Sequence, residues 1–270
     1  MHTLARKVRF SINPFLKEDL MGHNSFASKP AGTGLAIFLE ITVTIKGPLG
    51  TDSGFVINIV EIDKQVRKHV VPVFAKFIRE KYKNQSHIST FDTAKLLTAS
   101  WESLADKFQK AKLVKLNLAL NPFRNIAIDN GDSKMIYFSE KFEFAAMHKL
   151  YNKKLTEKEN SKLFGKCANP TGHGHNYTIE VTIAAELDAK LETGKFEKTV
   201  DKKLIELLDH KNLNADVEYF KNVNPTVENI AVFAWETLNK QFKNTPMHCV
   251  TVWETNKTSC TYYGPQSHGN

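Results

Sequence analysis

The chain has 270 residues, a hydrophobic share of 41%, a charged share of 24% and a formal net charge of +8, which suits a folded, water-soluble protein of one large or two smaller domains. No apolar run approaches the roughly 20 residues of a membrane span. The start, Met1-His2-Thr3-Leu4, lacks the apolar core of a signal peptide, and Cys167, Cys249 and Cys260 are too few and scattered for a disulfide framework. We therefore expect a cytoplasmic chain with reduced thiols and no membrane partner. The positive charge suits a nucleic acid and an anionic small substrate equally, but the lysines form no long basic run, so we expect a small-molecule partner and no nucleic acid.

In chain order, the pattern predicts strands near 6–12 and 36–46, helices near 59–82 and 90–109, and strands near 113–120 and 124–128. Asn130-Gly131-Asp132-Ser133 then reads as a boundary between modules 1–130 and 131–270. The second half predicts strands near 134–148 and 176–187, helices near 198–208 and 225–243, and strands near 247–255 and 258–263. In the last helix Asn224 is expected to cap and Pro225 to take the first position, with Val227, Ile230, Ala231, Ala234, Trp235, Leu238 and Phe242 at helical spacing.

The halves repeat each other. Gly32-Thr33-Gly34-Leu35 through Val43 matches Gly172-His173-Gly174-His175 through Ile183, and Ser100-Trp101-Glu102 matches Ala234-Trp235-Glu236. Only the second half carries the chemistry. Thr33 and Leu35 stand at the places of His173 and His175, Pro14 falls near that of His148, and no cysteine precedes Gly32. The first half keeps the alternating apolar residues Thr33, Leu35, Ile37, Leu39, Ile41, Val43 and Ile45, so it should fold as a scaffold, assembly or regulatory module.

Residues two apart on a strand face the same way, so His173 and His175 can close on one metal ion. Such a pair alone is more often two surface imidazoles. Here the strand ending in Phe142, Phe144, Ala146 and His148 offers a third imidazole, and Cys167 lies six residues upstream of His173. Three histidines with one open position is the arrangement of catalytic zinc. Adjacent Asp209 and His210 read, taken alone, as a solvated loop pair. Glu254 continues the apolar row of Val250 and Val252, where an unpaired buried carboxylate would cost several kcal/mol, so it should meet a polar ligand or a cation.

The segments Phe144–Leu150, Leu163–Tyr177, Leu208–Leu213, Pro225–Ala231 and Val252–Thr255 together resemble the 6-pyruvoyl-tetrahydropterin synthase family, which includes the 6-carboxytetrahydropterin synthases of queuosine biosynthesis. The resemblance covers most of residues 134–264. It implies an α+β chain of two tandem T-fold (tunnelling fold) modules, each a four-stranded antiparallel sheet with two helices on one face. It implies zinc on His148, His173 and His175, with the substrate's side-chain hydroxyls completing the coordination. Cys167 would be the base, Asp209 and His210 a proton relay, and Glu254 the anchor of the pterin ring, helped by Thr226 and the neighbourhood of Glu228. The reaction implied is loss of triphosphate from 7,8-dihydroneopterin triphosphate to give 6-pyruvoyl-tetrahydropterin, in a homo-oligomer whose sites lie at subunit interfaces. Five residues between Cys167 and His173 look like the pyruvoyl synthases. The alternatives are the carboxy product or a non-catalytic pterin-binding assembly. The stretch Gly194–Asp209, which leads to Asp209 and His210, is shorter than the family pattern.

Overall fold

A computed structural model of the chain describes residues 1–16, 26–30, 34–129, 134–189, 191–242 and 245–265. It divides into two compact units: Met1–Phe138 with Ala185–Leu191, and Ser139–Ala184 with Glu192–Asn270. The expected boundary at Asn130–Ser133 lies outside the described residues, as does Thr33.

Unit 1 runs β1 (His2–Ile12), β2 (Ile37–Gly47), α1 (Ile59–His69), α2 (Val71–Lys83), α3 (Thr90–Leu104), β3 (Lys112–Ala119) and β4 (Arg124–Asp129). The strands lie in that order, each antiparallel to the next, with Val8 opposite Ile41, Val43 opposite Leu116 and Leu116 opposite Ile128. Strand alternation puts Val8, Phe10, Ile41, Val43, Leu116 and Ile128 on one buried face, against Ile62 and Val66 of α1 and Leu97 and Leu104 of α3. The helix expected over 59–82 is two. Pro72 has no N–H for the helical ladder and its ring crowds the preceding turn, so the helix breaks at Val70, which ends α1 and caps the start of α2. Leu35 was expected in the apolar row but is 98% exposed, because it precedes the start of β2.

Unit 2 takes over β5 (Met135–His148) from Ser139 onward. It continues with α4 (Glu157–Phe164), a tight turn Gly165–Ala168, β6 (His173–Glu186), α5 (Thr193–Val200), α6 (Glu206–Leu208), β7 (Lys211–Asn212), α7 (Leu213–Asp216), α8 (Val227–Leu238), β8 (Met247–Thr255) and β9 (Thr258–Tyr262). The sheet order is β5-β6-β8-β9, with the short β7 beside β5. The Ser139 hydroxyl lies 2.9 Å from that of Thr182, and Gly174 faces the Ala146 carbonyl, so β5 and β6 run antiparallel. Tyr177, Ile179, Val181, Val250 and Val252 are buried beneath Phe196, Val200 and Leu204 and beneath Ile230, Ala231 and Ala234 of α8. Each unit is thus an antiparallel sheet with helices packed on it, as expected of T-fold modules, although the first of the two helices expected in unit 1 is split into α1 and α2; the protein is α+β.

Three boundaries differ from the sequence reading. The helix expected over 198–208 begins at Thr193 and reaches Leu208 through a wide turn, Asp201–Ile205, that absorbs an extra residue. Phe196 sets its start by packing between Phe142 and Phe242. The helix expected over 225–243 spans Val227–Leu238 and is capped by Thr226, whose hydroxyl accepts from the Asn229 N–H. Finally, α4 was not expected, although Thr156 and Glu159 form a capping box that is legible in the sequence.

Candidate metal and substrate site

The histidines meet because two antiparallel strands deliver them from one face. His148 closes β5, His173 and His175 open β6, and their candidate ligand atoms all lie within 4.8 Å of one another. The His148 and His173 Nε2 atoms are 3.1 Å apart. A tetrahedral zinc ion with bonds of about 2.0–2.1 Å sets its nitrogens about 3.3 Å apart, close to that separation.

Hydrogen bonding prepares the cluster for a cation. The Nδ1 atom of His148 lies 2.7 Å from the Pro225 carbonyl, which can only accept, so Nδ1 carries the proton and Nε2 presents a lone pair. Burial, before other causes, holds the His148 and His173 imidazoles below their ordinary pKa, in the neutral form that binds metals. The Nε2 atom of His175 is buried with no hydrogen-bond partner among the described residues. Bare nitrogens converging in a buried place are costly unless something binds them. Three imidazoles of this geometry fit zinc, and among the described residues they form the group of three metal-binding side chains.

Glu254 joins the cluster. Its Oε1 lies 3.5 Å from His148 Nε2 and 3.6 Å from His175 Nε2, and the side chain keeps 23% of its surface exposed. Tyr177, seen in the sequence only as part of an apolar row, is fully buried with its hydroxyl 3.4 Å from His148 Nδ1. Burial first, and then the neighbouring Glu254 carboxylate and Cys167, push its phenol far above the ordinary value. It therefore stays protonated and available as a donor.

Cys167 is half-buried, in the tight turn after α4. Its carbonyl accepts from the Leu150 N–H at 2.9 Å, which ties the cysteine to the segment just beyond His148. Three asparagines, none of them read in this role from the sequence, hold that same stretch. Asn214 accepts from Lys149 N–H, Asn224 from Tyr151 N–H, and the buried Asn160 accepts from Asn152 N–H while donating to the Asn152, Leu155 and Thr156 carbonyls. The Asn224 side chain thus serves the loop after His148, while its carbonyl accepts from the Asn229 side-chain amide in the first turn of α8, and Pro225 spends its carbonyl on His148 in place of a helical bond. Thr226 follows directly. Glu228 sits exposed in the first turn of α8, near enough to Cys260 to raise its thiol, after the larger effect of burial.

Gly172 sets the turn into His173. Its φ is +73°, and a Cβ there would sit 2.9 Å from the His148 carbonyl oxygen.

Asp209 and His210 are paired but stand apart from this cluster. The His210 Nδ1 lies 2.8 Å from Asp209 Oδ2, Asp209 Oδ1 accepts from the Ala145 N–H at 2.9 Å, and the His210 N–H donates to the Ala145 carbonyl at 2.6 Å. These bonds, the one from Ala145 first, hold the Asp209 carboxyl below its ordinary value. His210 takes a left-handed backbone and its side chain is 82% exposed. The pair borders an open depression lined from the strands by Glu143, Phe144, Ala145, Asn176, Tyr177 and Thr178. Of these, Glu143, Ala145, Asn176 and Thr178 have the opposite parity to the three histidines, so they lie on the other face of the sheet.

Comparison with known proteins finds one family model, described as 6-pyruvoyl tetrahydropterin synthase, over residues 137–265. The chain is 42% identical over 130 residues to the 6-pyruvoyl tetrahydrobiopterin synthase of Homo sapiens, with 47% of this chain and 90% of that protein matched. It is 37% identical over 134 residues to that of Drosophila melanogaster, with 48% and 80% matched. A solved structure of the Caenorhabditis elegans 6-pyruvoyl tetrahydropterin synthase is similar at 35% identity and a TM-score of 0.46, over 48% of this chain and 96% of that one.

Proposed function

The chain belongs to the 6-pyruvoyl tetrahydropterin synthase family, and on that premise we propose a lyase of pterin biosynthesis that converts 7,8-dihydroneopterin triphosphate to 6-pyruvoyl-tetrahydropterin and triphosphate. The observation that carries this reading is the meeting of His148, His173 and His175 with the Glu254 carboxylate in a second module, 131–270. The first module, 1–130, is then a degenerate copy without a metal site.

The three imidazoles would hold zinc. When bound, that ion supplies Lewis acidity that makes the C–H bonds next to the substrate's hydroxyls easier to ionise. The protein's own groups do the rest. Glu254 accepts from the guanidine-like nitrogens of the pterin, with Thr226 and Glu228 beside it, and fixes the ring's orientation. Cys167 takes the proton from the substrate's side chain as base, and expulsion of triphosphate follows. Asp209 orients His210 through the 2.8 Å contact and the pair relays protons. Because that pair faces away from the histidines of its own subunit, it serves a neighbouring subunit's site in a homo-oligomer, the assembly the reading requires.

The test is incubation of the zinc-loaded protein with 7,8-dihydroneopterin triphosphate. The wild type should release triphosphate and form the pyruvoyl product, and Cys167→Ala should lose turnover by about a hundredfold or more while keeping its zinc. Acetaldehyde among the products would select the carboxy reaction instead. Tight pterin binding with no product from the wild type would leave only a binding role.

A further inference from the structure

Away from the histidine cluster, one face of the helical segment Thr193–Leu208 gathers positive charge. Lys195, Lys198, Thr199, Lys202 and Lys203 follow the spacing of a single helix face and, with Gln241, line an open depression of about 510 Å³. No carboxylate and no aromatic ring is part of its lining. Lys195 makes a loose contact of 3.9 Å to the exposed Glu192, while Lys198, Lys202 and Lys203 have no ion-pair partner among the described residues.

This distribution works against the helix. Like charges four residues apart, as in Lys198 and Lys202, destabilise it, whereas Glu–Lys pairs at that spacing would help. The first turn of α5 holds no acid, although the helix dipole favours anions there and opposes cations. The acids of the segment collect together instead: burial first, and then Glu197 and Glu206, hold the Asp201 carboxyl above its ordinary value. An anion in the depression would relieve both costs on the basic face.

The geometry points to a binding site for a linear polyphosphate on this face, held by Lys195, Lys198, Lys202 and Lys203 with the Thr199 hydroxyl and the Gln241 amide as neutral donors. Ammonium groups along two helical turns match several phosphate groups in series better than one. With no ring to stack on, the site reads phosphate and not a nucleobase. The proposed reaction, which releases triphosphate, supplies the physiological source, so that link rests on the functional reading; the binding itself does not.

Calorimetric titration of the full-length protein with inorganic tripolyphosphate tests the site. The wild type and His173→Ala should bind alike. The Lys198→Gln/Lys202→Gln double variant should bind about tenfold more weakly, with an unchanged or higher unfolding temperature. Adenosine triphosphate should bind no more tightly than tripolyphosphate. The proposal is overturned if the wild type does not bind, if the double variant binds as well as the wild type, if His173→Ala abolishes binding, or if the nucleotide binds about tenfold more tightly. A wild type without turnover would sink the functional reading and leave these binding results standing.

Discussion

His148 acts through both ring nitrogens, and this makes its surroundings as consequential as the histidine itself. The Pro225 carbonyl fixes the proton on Nδ1 and so aims the lone pair of Nε2 at His173, 3.1 Å away. Gly172 is the backbone counterpart of that bond. Its left-handed conformation lets the turn pass beneath the His148 carbonyl, where a methyl group would sit 2.9 Å from the oxygen. Gly172→Ala must therefore shift His173 or His148, and we expect zinc affinity to fall about tenfold or more, measured by competition with a chromogenic chelator. Unchanged affinity would mean that the turn does not position the ligands. The meeting of the three histidines with Glu254 was legible in the sequence because each stands out from the alternating apolar row of its own strand. Tyr177, Pro225 and Asn160 were not, because a buried hydroxyl, a carbonyl and an amide declare their partners only when distant segments meet.

At the scale of elements, alternation fixed the strands and packing decided the helices. Residues on β2 and β6 hold their parity from Leu39 to Ile45 and from Tyr177 to Ala185, so the face they present could be read directly. Helix ends depended on contacts that periodicity does not carry: Pro72 splitting α1 from α2, the Phe142–Phe196–Phe242 contacts starting α5, and Thr226 taking the cap from Asn224. The start of α3 shows how a cap can be tested. Ser89 and Asp92 form a reciprocal capping box, and Lys81 lies 3.1 Å from the Asp92 carboxylate. Burial pushes that carboxyl up, but the Ser89 hydrogen bonds and Lys81 together hold it below its ordinary value of 3.8. A depressed carboxyl contributes stability above its unfolded-state pKa and loses it as pH falls through the folded value. Asp92→Ala should therefore cost about 1 kcal/mol near neutral pH, and denaturant midpoints of variant and wild type should converge as pH falls below 3.8. A difference that persists in acid would show that the carboxylate charge is not what stabilises the helix start.

For the whole molecule, the central contrast is between two modules of like fold and unlike chemistry. Unit 1 has a complete buried core and an ion pair inside it, with Arg67 Nε 2.6 Å from the fully buried Asp63. At the places of the histidines, however, it carries Pro14 just beyond β1 and Leu35 almost fully exposed. The duplication was visible in the sequence because both copies keep the Gly-x-Gly motif, the alternating apolar residues and the Trp-Glu pair. What each copy does was visible only where they differ. The account therefore requires one metal ion per 270-residue protein, held by the second module. Elemental analysis of the purified wild type and His173→Ala, each in parallel with an assay on 7,8-dihydroneopterin triphosphate, measures this most directly. The account predicts one zinc per 270 residues in an active wild type, and loss of both zinc and turnover in the variant. An active protein without zinc, two ions per subunit, or an unchanged metal content in His173→Ala would contradict it.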